Sequence, residues 1–288
     1  ITVKTIIMGG LASKIFKPKV LIASITGLGQ VYTDKRFSSF LIKKIIETVY
    51  RIAYSDLKNK FFIFQNKCDM KYIKRLLKLS REKIIMTNGA GVFLDQYKPG
   101  PFPTNKPVFL FASRLLNAKG VLEFIKASYF VKEAKFIIAG EYDPNNRDSL
   151  DKKILDKAIK DGKVIYSGYI KDISELINKS SVVILPSYYG EGLPKILIEA
   201  AACGRPIITT NLPGCQETIV KGESGFFTKA KSYKNLIKKI NIFVDNPKII
   251  RSMGSKSRVL AEEKFDINVV IQKHMILYKS FLNEPNKI

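Results

Sequence analysis

The sequence predicts an α/β fold built on parallel, doubly wound sheets, and three observations carry that prediction. Short apolar, β-branched runs alternate with stretches of helical spacing, most regularly from Val108 onward. Several of the runs end in glycine-bearing loops, as at Thr26-Gly-Leu-Gly29, Gly140 and Gly190-Glu191-Gly192, where backbone turns tightly or approaches a ligand. A break from Tyr97 to Pro107 holds four prolines and one glycine, which no regular element accommodates, and it reads as an interdomain linker.

Ahead of the linker, Val3–Met8 reads as a strand, followed by a Gly9-Gly10 turn and a short helix. Lys19–Ile25 is the next strand and runs into Thr26-Gly-Leu-Gly29. Phe37–Ser55 has helical spacing through Phe40, Leu41, Ile45, Val49 and Ile52. Phe61–Gln65 is a short strand, Asp69–Leu79 a helix, and Ile84–Met86 a strand before Asn88-Gly-Ala-Gly91. These elements amount to less than a whole Rossmann-like half. The chain also begins at Ile1 rather than Met, within an expected strand, so residues 1–104 read as the back half of an N-terminal domain in a fragment.

Beyond the linker, strand Val108–Ala112 leads to Ser113-Arg114-Leu-Leu-Asn-Ala-Lys119-Gly120 and helix Val121–Val131. Two cations in a strand-to-helix loop suit a diphosphate, with Arg114 offering a fork and Lys119 a point charge; a solvated loop is the alternative. Strand Lys135–Ala139 enters Gly140-Glu141-Tyr-Asp-Pro-Asn-Asn-Arg147. Helix Leu150–Lys160, strand Val164–Ser167 and Gly168-Tyr169 follow, and Asp172 caps a helix through Asn178. Helices Tyr233–Asp245, Pro247–Lys264 and Ile267–Leu282 end the chain; the last holds His274, the sole histidine, read as satisfied or solvated.

The stretch from Leu185 to Thr210 organises the rest. Val182–Leu185 is a buried strand, Pro194 suits a first helical turn, and the helix stops at Gly204 before Pro206 opens another strand. The N–H groups of Gly192, Leu193 and the first helical turn can hold an anion. Glu199, over a turn into the helix, can accept hydrogen bonds from sugar hydroxyls, and Glu191 can hold a second hydroxylated group. Two carboxylates around an anion site fit a nucleotide-sugar, although the spacing alone also fits an ordinary strand-loop-helix with solvated glutamates.

The full string Pro186-Ser-Tyr-Tyr-Gly-Glu191-Gly-Leu-Pro-Lys195 resembles the Glu-x7-Glu signature of retaining glycosyltransferases of family 4, which have the GT-B fold of two Rossmann-like domains. The resemblance implies a partial N-terminal acceptor-side domain over 1–104, a nucleotide-sugar-binding domain over 105–265, and a helix over 266–288 crossing back to the first. It implies transfer from a nucleoside diphosphate sugar, UDP-linked, with anomeric configuration retained. Arg114 and Lys119 resemble the family's diphosphate-holding cations. Glu191 would orient the donor sugar, Glu199 the ribose, and Tyr169 and Ile170 would contact the base, although Tyr169 also suits plain packing. Thr26, Gly27 and Gly29, with the long Asp143-Pro-Asn loop, resemble a branch acting on polyprenyl-diphosphate-linked glycans in bacterial surface polysaccharide or glycoconjugate synthesis. Two features depart from the pattern. Gln216 stands where Arg is usual in a Pro-Gly-Cys-Arg-Glu segment, and the N-terminal half has no histidine. Glu217, in the same segment, fits either a ligand contact or a helix start.

Composition narrows the partners. Net charge is +24, and residues 1–106 carry 20 Lys and Arg against 6 Asp and Glu. An anionic membrane surface or lipid diphosphate accounts for this excess, with compositional bias as the alternative. No nucleic-acid motif accompanies it, so nucleic acid is not an expected partner. No apolar run is long enough to span a bilayer. Cys68, Cys203 and Cys215 form no metal-binding spacing and suit a reducing cytoplasm. No Asp-x-Asp clamp stands in the donor region, so neither metal nor cofactor is expected beyond the nucleoside diphosphate sugar co-substrate. A cytoplasmic enzyme peripheral to the inner face of the membrane is the expectation. A nucleotide-binding remnant without turnover and a GT-B nucleotide-sugar epimerase are its alternatives.

Overall fold

The computed structural model describes residues 3–29, 32, 37–56 and 58–282. Residues 1–2 and residues 283–288 of the C-terminal segment lie outside them. The first segment departs from expectation, because Val3–Phe16 forms one helix, α1, in place of a strand and turn. A short apolar run fits a packed helix as well as a strand. The glycine pair serves packing inside that helix: a Cβ on Gly10 would stand 2.8 Å from Tyr54 Cε2 and 2.9 Å from the Ala53 Cβ.

The next elements are β1 (Leu21–Ile25), α2 (Phe37–Ala53), β2 (Lys60–Phe64), α3 (Lys67–Leu77) and β3 (Ile84–Met86). The strands pair in parallel in the order β1-β2-β3, with helices as the crossovers that parallel pairing needs. Ile25, Tyr50, Phe62, Phe64 and Ile73 fill the core between sheet and helices.

The second sheet is built from β4 (Val108–Ala112), β5 (Lys135–Ala139), β6 (Ile165–Tyr166), β7 (Val182–Leu185), β8 (Ile207–Thr210) and β9 (Gly225–Thr228). Its helices are α4 (Val121–Ser128), α5 (Lys152–Lys160), α6 (Ser174–Asn178), α7 (Lys195–Ala202), α8 (Tyr233–Asp245) and α9 (Lys248–Lys264). Asp172, expected as the cap of α6, accepts the Ser174 N–H at 3.0 Å but stands one position before the N-cap, which is Ile173. Pro194 stands at the N-cap of α7 rather than within its first turn. Strand β9 was not anticipated from the sequence.

All six strands are parallel, in the order β6-β5-β4-β7-β8-β9. The chain winds outward from β4 in one direction and from β7 in the other. The two strands are neighbours, so a crevice opens at their carboxyl ends, where open α/β sheets bind ligands. The Arg114 loop follows β4 and the Glu191 loop follows β7.

The segment joining the sheets is irregular but anchored. Arg205, fully buried, donates to the carbonyls of Gly100 (3.0 Å), Pro101 (2.8 Å), Asn178 (2.7 Å) and Cys203 (3.0 Å), and its guanidinium lies 4.1 Å from the Phe102 ring centre. Helix α10 (Ile267–Leu282) returns to the first sheet, where Lys273 Nζ donates to the Met86 carbonyl at 3.0 Å and Phe281 packs on Phe61. Two Rossmann-like parallel sheets, joined by an irregular segment and facing a shared cleft, make up the expected GT-B fold.

Candidate functional site

Two loops, residues 26–29 after β1 and residues 190–192 after β7, meet backbone to backbone at the cleft. Gly29 N–H donates to the Gly190 carbonyl at 3.3 Å. Gly27, at φ +134°, leaves so little room that a Cβ there would stand 2.8 Å from the Gly192 nitrogen. A Cβ on Gly192 would be 2.0 Å from the Thr26 carbonyl oxygen. The glycines expected on the acceptor side therefore serve as the surface on which the loop of residues 190–192 packs. Gly192 and Leu193 lead directly into Pro194, the N-cap of α7, whose first N–H groups have no partners within the helix.

On the opposite side of that loop, Glu191 Oε1 receives a hydrogen bond from Lys119 Nζ and another from Ser187 Oγ at 2.9 Å. Lys119 sits at the end of the turn after β4, 5.0 Å from the Tyr189 ring centre. Both side chains are close to buried, so the pair lies in a low-dielectric setting where each charge depends on the other.

Glu199, in the middle of α7, is buried and accepts the Tyr97 hydroxyl at 2.9 Å. Burial, reinforced by the Glu199 carboxylate, raises the Tyr97 pKa, so the phenol stays a donor. Arg114, Glu141, Tyr169, Ile170, Ile196 and Glu199 line one cavity of about 210 Å³ at the crevice between β4 and β7. Tyr169 is 74% exposed, a ring offering its face to solvent rather than filling the core. Arg114, Tyr169, Ile170 and Glu199 are thus brought together, while Lys119 and Glu191 form a separate pair beside Gly192.

The start of α3 closes the cleft from the other sheet. Asn66 Nδ2 donates to the Gly192 carbonyl at 3.1 Å and to Asp69 Oδ2 at 2.7 Å. Glu217 Oε1 accepts the Lys67 N–H at 2.8 Å, so it sits at a helix start, but at that of α3 in the facing unit. Gln216 Nε2 reaches Cys68 Sγ at 3.2 Å, a neutral contact. Burial pushes the Asp69 carboxyl up to about 6; the Asn66 amide opposes this, the Glu217 charge adds to it, and the Leu28 N–H opposes it. Tyr97, Asn66 and Asp69 carried no sequence signal. Asn66 is the N-cap of α3 in the structure, where its Oδ1 accepts the Asp69 N–H, and Tyr97 lies within the proline-rich break. His274 bonds the Val270 carbonyl at 2.8 Å along its own helix, away from the cleft loops.

Residues 94–259, more than half of the chain, match the family model described as glycosyl transferases group 1. The chain is 29% identical over 285 residues to the N,N'-diacetylbacillosaminyl-diphospho-undecaprenol alpha-1,3-N-acetylgalactosaminyltransferase of Campylobacter jejuni, covering 94% of this chain and 73% of that relative. It is 25% identical over 178 residues to the capsular polysaccharide biosynthesis glycosyltransferase CapM of Staphylococcus aureus, covering 60% of this chain and 46% of that one. The solved structure of Anabaena HepE in complex with UDP superposes with a TM-score of 0.80 at 19% identity, over 97% of this chain and 77% of that chain.

Proposed function

The chain belongs to the glycosyl transferases of group 1, and from that premise we propose that it transfers a sugar from a UDP-sugar to a polyprenyl-diphosphate-linked glycan, retaining anomeric configuration. The observation that carries the proposal is the shared cavity of Arg114 and Glu199 at the crevice between β4 and β7, with the Lys119–Glu191 pair on the loops that follow the same two strands. Glu199 would take the ribose hydroxyls, Tyr169 and Ile170 the base, Arg114 and Lys119 the diphosphate, and Glu191 the donor sugar. The N–H groups at the entry to α7 would add the helix dipole to that charge. Each well-placed donor of this kind contributes roughly 2–4 kcal/mol where water is excluded. The departing phosphate would assist in deprotonating the acceptor on the same face.

These cations carry the leaving charge in the proposal, so transfer should proceed without added metal and survive EDTA. The lipid-linked acceptor rests on the activity of the Campylobacter relative and on the basic N-terminal third. No helix among the described residues is long and apolar enough to cross a membrane, so an inner-face location would come from surface attachment. Calorimetric titration with UDP, GDP and ADP, alongside Glu199→Ala, tests the reading. Selective UDP binding, lost in the variant, is expected. Equal or absent binding of all three would overturn it.

A further inference from the structure

A second cavity, of about 450 Å³, lies between α2 and α3, and nothing in the donor chemistry uses it. Its walls carry three cations, Arg51 from α2 and Lys71 and Arg75 from α3. Lys71 and Arg75 are four positions apart on one helix face, where like charges destabilise a helix unless something else is gained. None of the three has an ion-pair partner among the described residues. The one acid in the cavity, Glu47, already accepts the Tyr72 hydroxyl and pairs with Lys44. The cavity therefore presents uncompensated positive charge in a concave site of ligand size.

Its position relates it to the cleft. Cys68 and Tyr72 line this cavity and also a smaller one, of about 140 Å³, which extends to Gly29, Gly190 and Pro213 at the meeting of the loops. A group held by the three cations would point its next unit toward the Glu191 loop. The outer face of α2 beside the cavity is apolar and exposed at Phe37, Leu41 and Ile45, the surface a hydrocarbon chain would follow away from the protein.

We propose that the cavity between α2 and α3 binds the diphosphate of the lipid-linked acceptor through Arg51, Lys71 and Arg75. This rests on the glycosyltransferase reading for the acceptor's identity, but its test stands apart from the donor site. The chain, with UDP at saturation, is titrated calorimetrically with farnesyl diphosphate and, separately, with inorganic pyrophosphate. Farnesyl diphosphate should bind, with affinity reduced about tenfold by Arg51→Ala or Arg75→Ala and lost in Arg75→Glu, as expected for charge-assisted contacts. All three positions are exposed, so the variants should fold, and unchanged UDP affinity would verify that. Binding of farnesyl diphosphate that is indifferent to the variants would overturn the site. So would absence of binding, or binding of pyrophosphate alone, which would assign the cavity to a free anion. Failure of UDP to bind would sink the donor reading, while the farnesyl diphosphate titration would still decide this one.

Discussion

The Tyr97 hydroxyl donates to Glu199 at 2.9 Å across 102 positions of sequence. The segment joining the two sheets thereby fixes the carboxylate that the proposal assigns to the ribose. Tyr97→Phe keeps the ring and removes only the donor, leaving the Glu199 carboxylate free to rotate and Lys195, at 3.5 Å, as its remaining ion-pair partner. A hydrogen bond to a charged group is worth about 1.5–3 kcal/mol. Tyr97→Phe should therefore lower the thermal midpoint by several degrees and weaken UDP binding, because the carboxylate is no longer held in place. Wild-type affinity measured by calorimetry would dissociate Tyr97 from the site.

Lys119 and Glu191 should behave as one unit. Removing either leaves the other charge close to buried with a reduced set of partners, Ser187 alone in the case of Glu191. Lys119→Met, which removes a preorganised donor, and Glu191→Gln, which removes the charge that holds it, should each lower kcat/KM for transfer by about a hundredfold. The double variant should fall well short of the product of the two losses, because residues in direct contact are not additive. Multiplicative losses in a transfer assay would show that the two act independently.

The fold was legible where local pattern decides it. From Val108 on, buried parallel strands read as apolar runs, and β4, β5 and α8 fall at the boundaries expected for them. The pattern failed at Val3–Met8, where six apolar-leaning residues fit either element and the choice was made by Tyr54 and Ala53 packing on Gly10. Within the site, the β4–β7 switch brings Arg114 and Glu199 together, as their places after two strands suggested. Tyr97, Asn66 and Glu217 act across the chain: one reaches from an irregular segment into α7, and two join units distant in sequence. Spacing along a chain holds no record of such contacts.

The Asp69 carboxyl makes stability depend on pH in a defined direction. Its pKa is raised from 3.8 to about 6 on folding, so between those values the native state binds more protons than the unfolded one. Stability from this group is therefore lost as pH rises through that window, and the loss is complete above it. Asp69→Asn removes the titration while retaining a side-chain oxygen to accept the Leu28 N–H. The thermal midpoint of the parent should fall relative to Asp69→Asn between about pH 4 and pH 6.5, and the two curves should run parallel above that. A constant difference across the whole range would mean that Asp69 ionises normally.

Arg205 has a different task, which its neighbours define. It is fully buried with no carboxylate partner among the described residues, and burial pulls its guanidinium down to about 10, still charged at neutral pH. Its compensation comes from backbone carbonyls: Gly100 and Pro101 in the joining segment, Ile177 and Asn178 at the end of α6, and Cys203 after α7. Only a planar fork meets carbonyls in so many directions, so a lysine cannot substitute. Arg205→Ala would leave these acceptors unpaired and a void beneath Phe102, a loss of about 1–3 kcal/mol for each buried carbonyl left unsatisfied. Arg205→Lys should lose a large part of the same amount. Urea unfolding of both variants would measure it. A stability loss below about 1 kcal/mol, the range of an ordinary surface substitution, would show that the joining segment is held by its prolines and by the Arg258 bonds to the Tyr97 and Ala202 carbonyls instead.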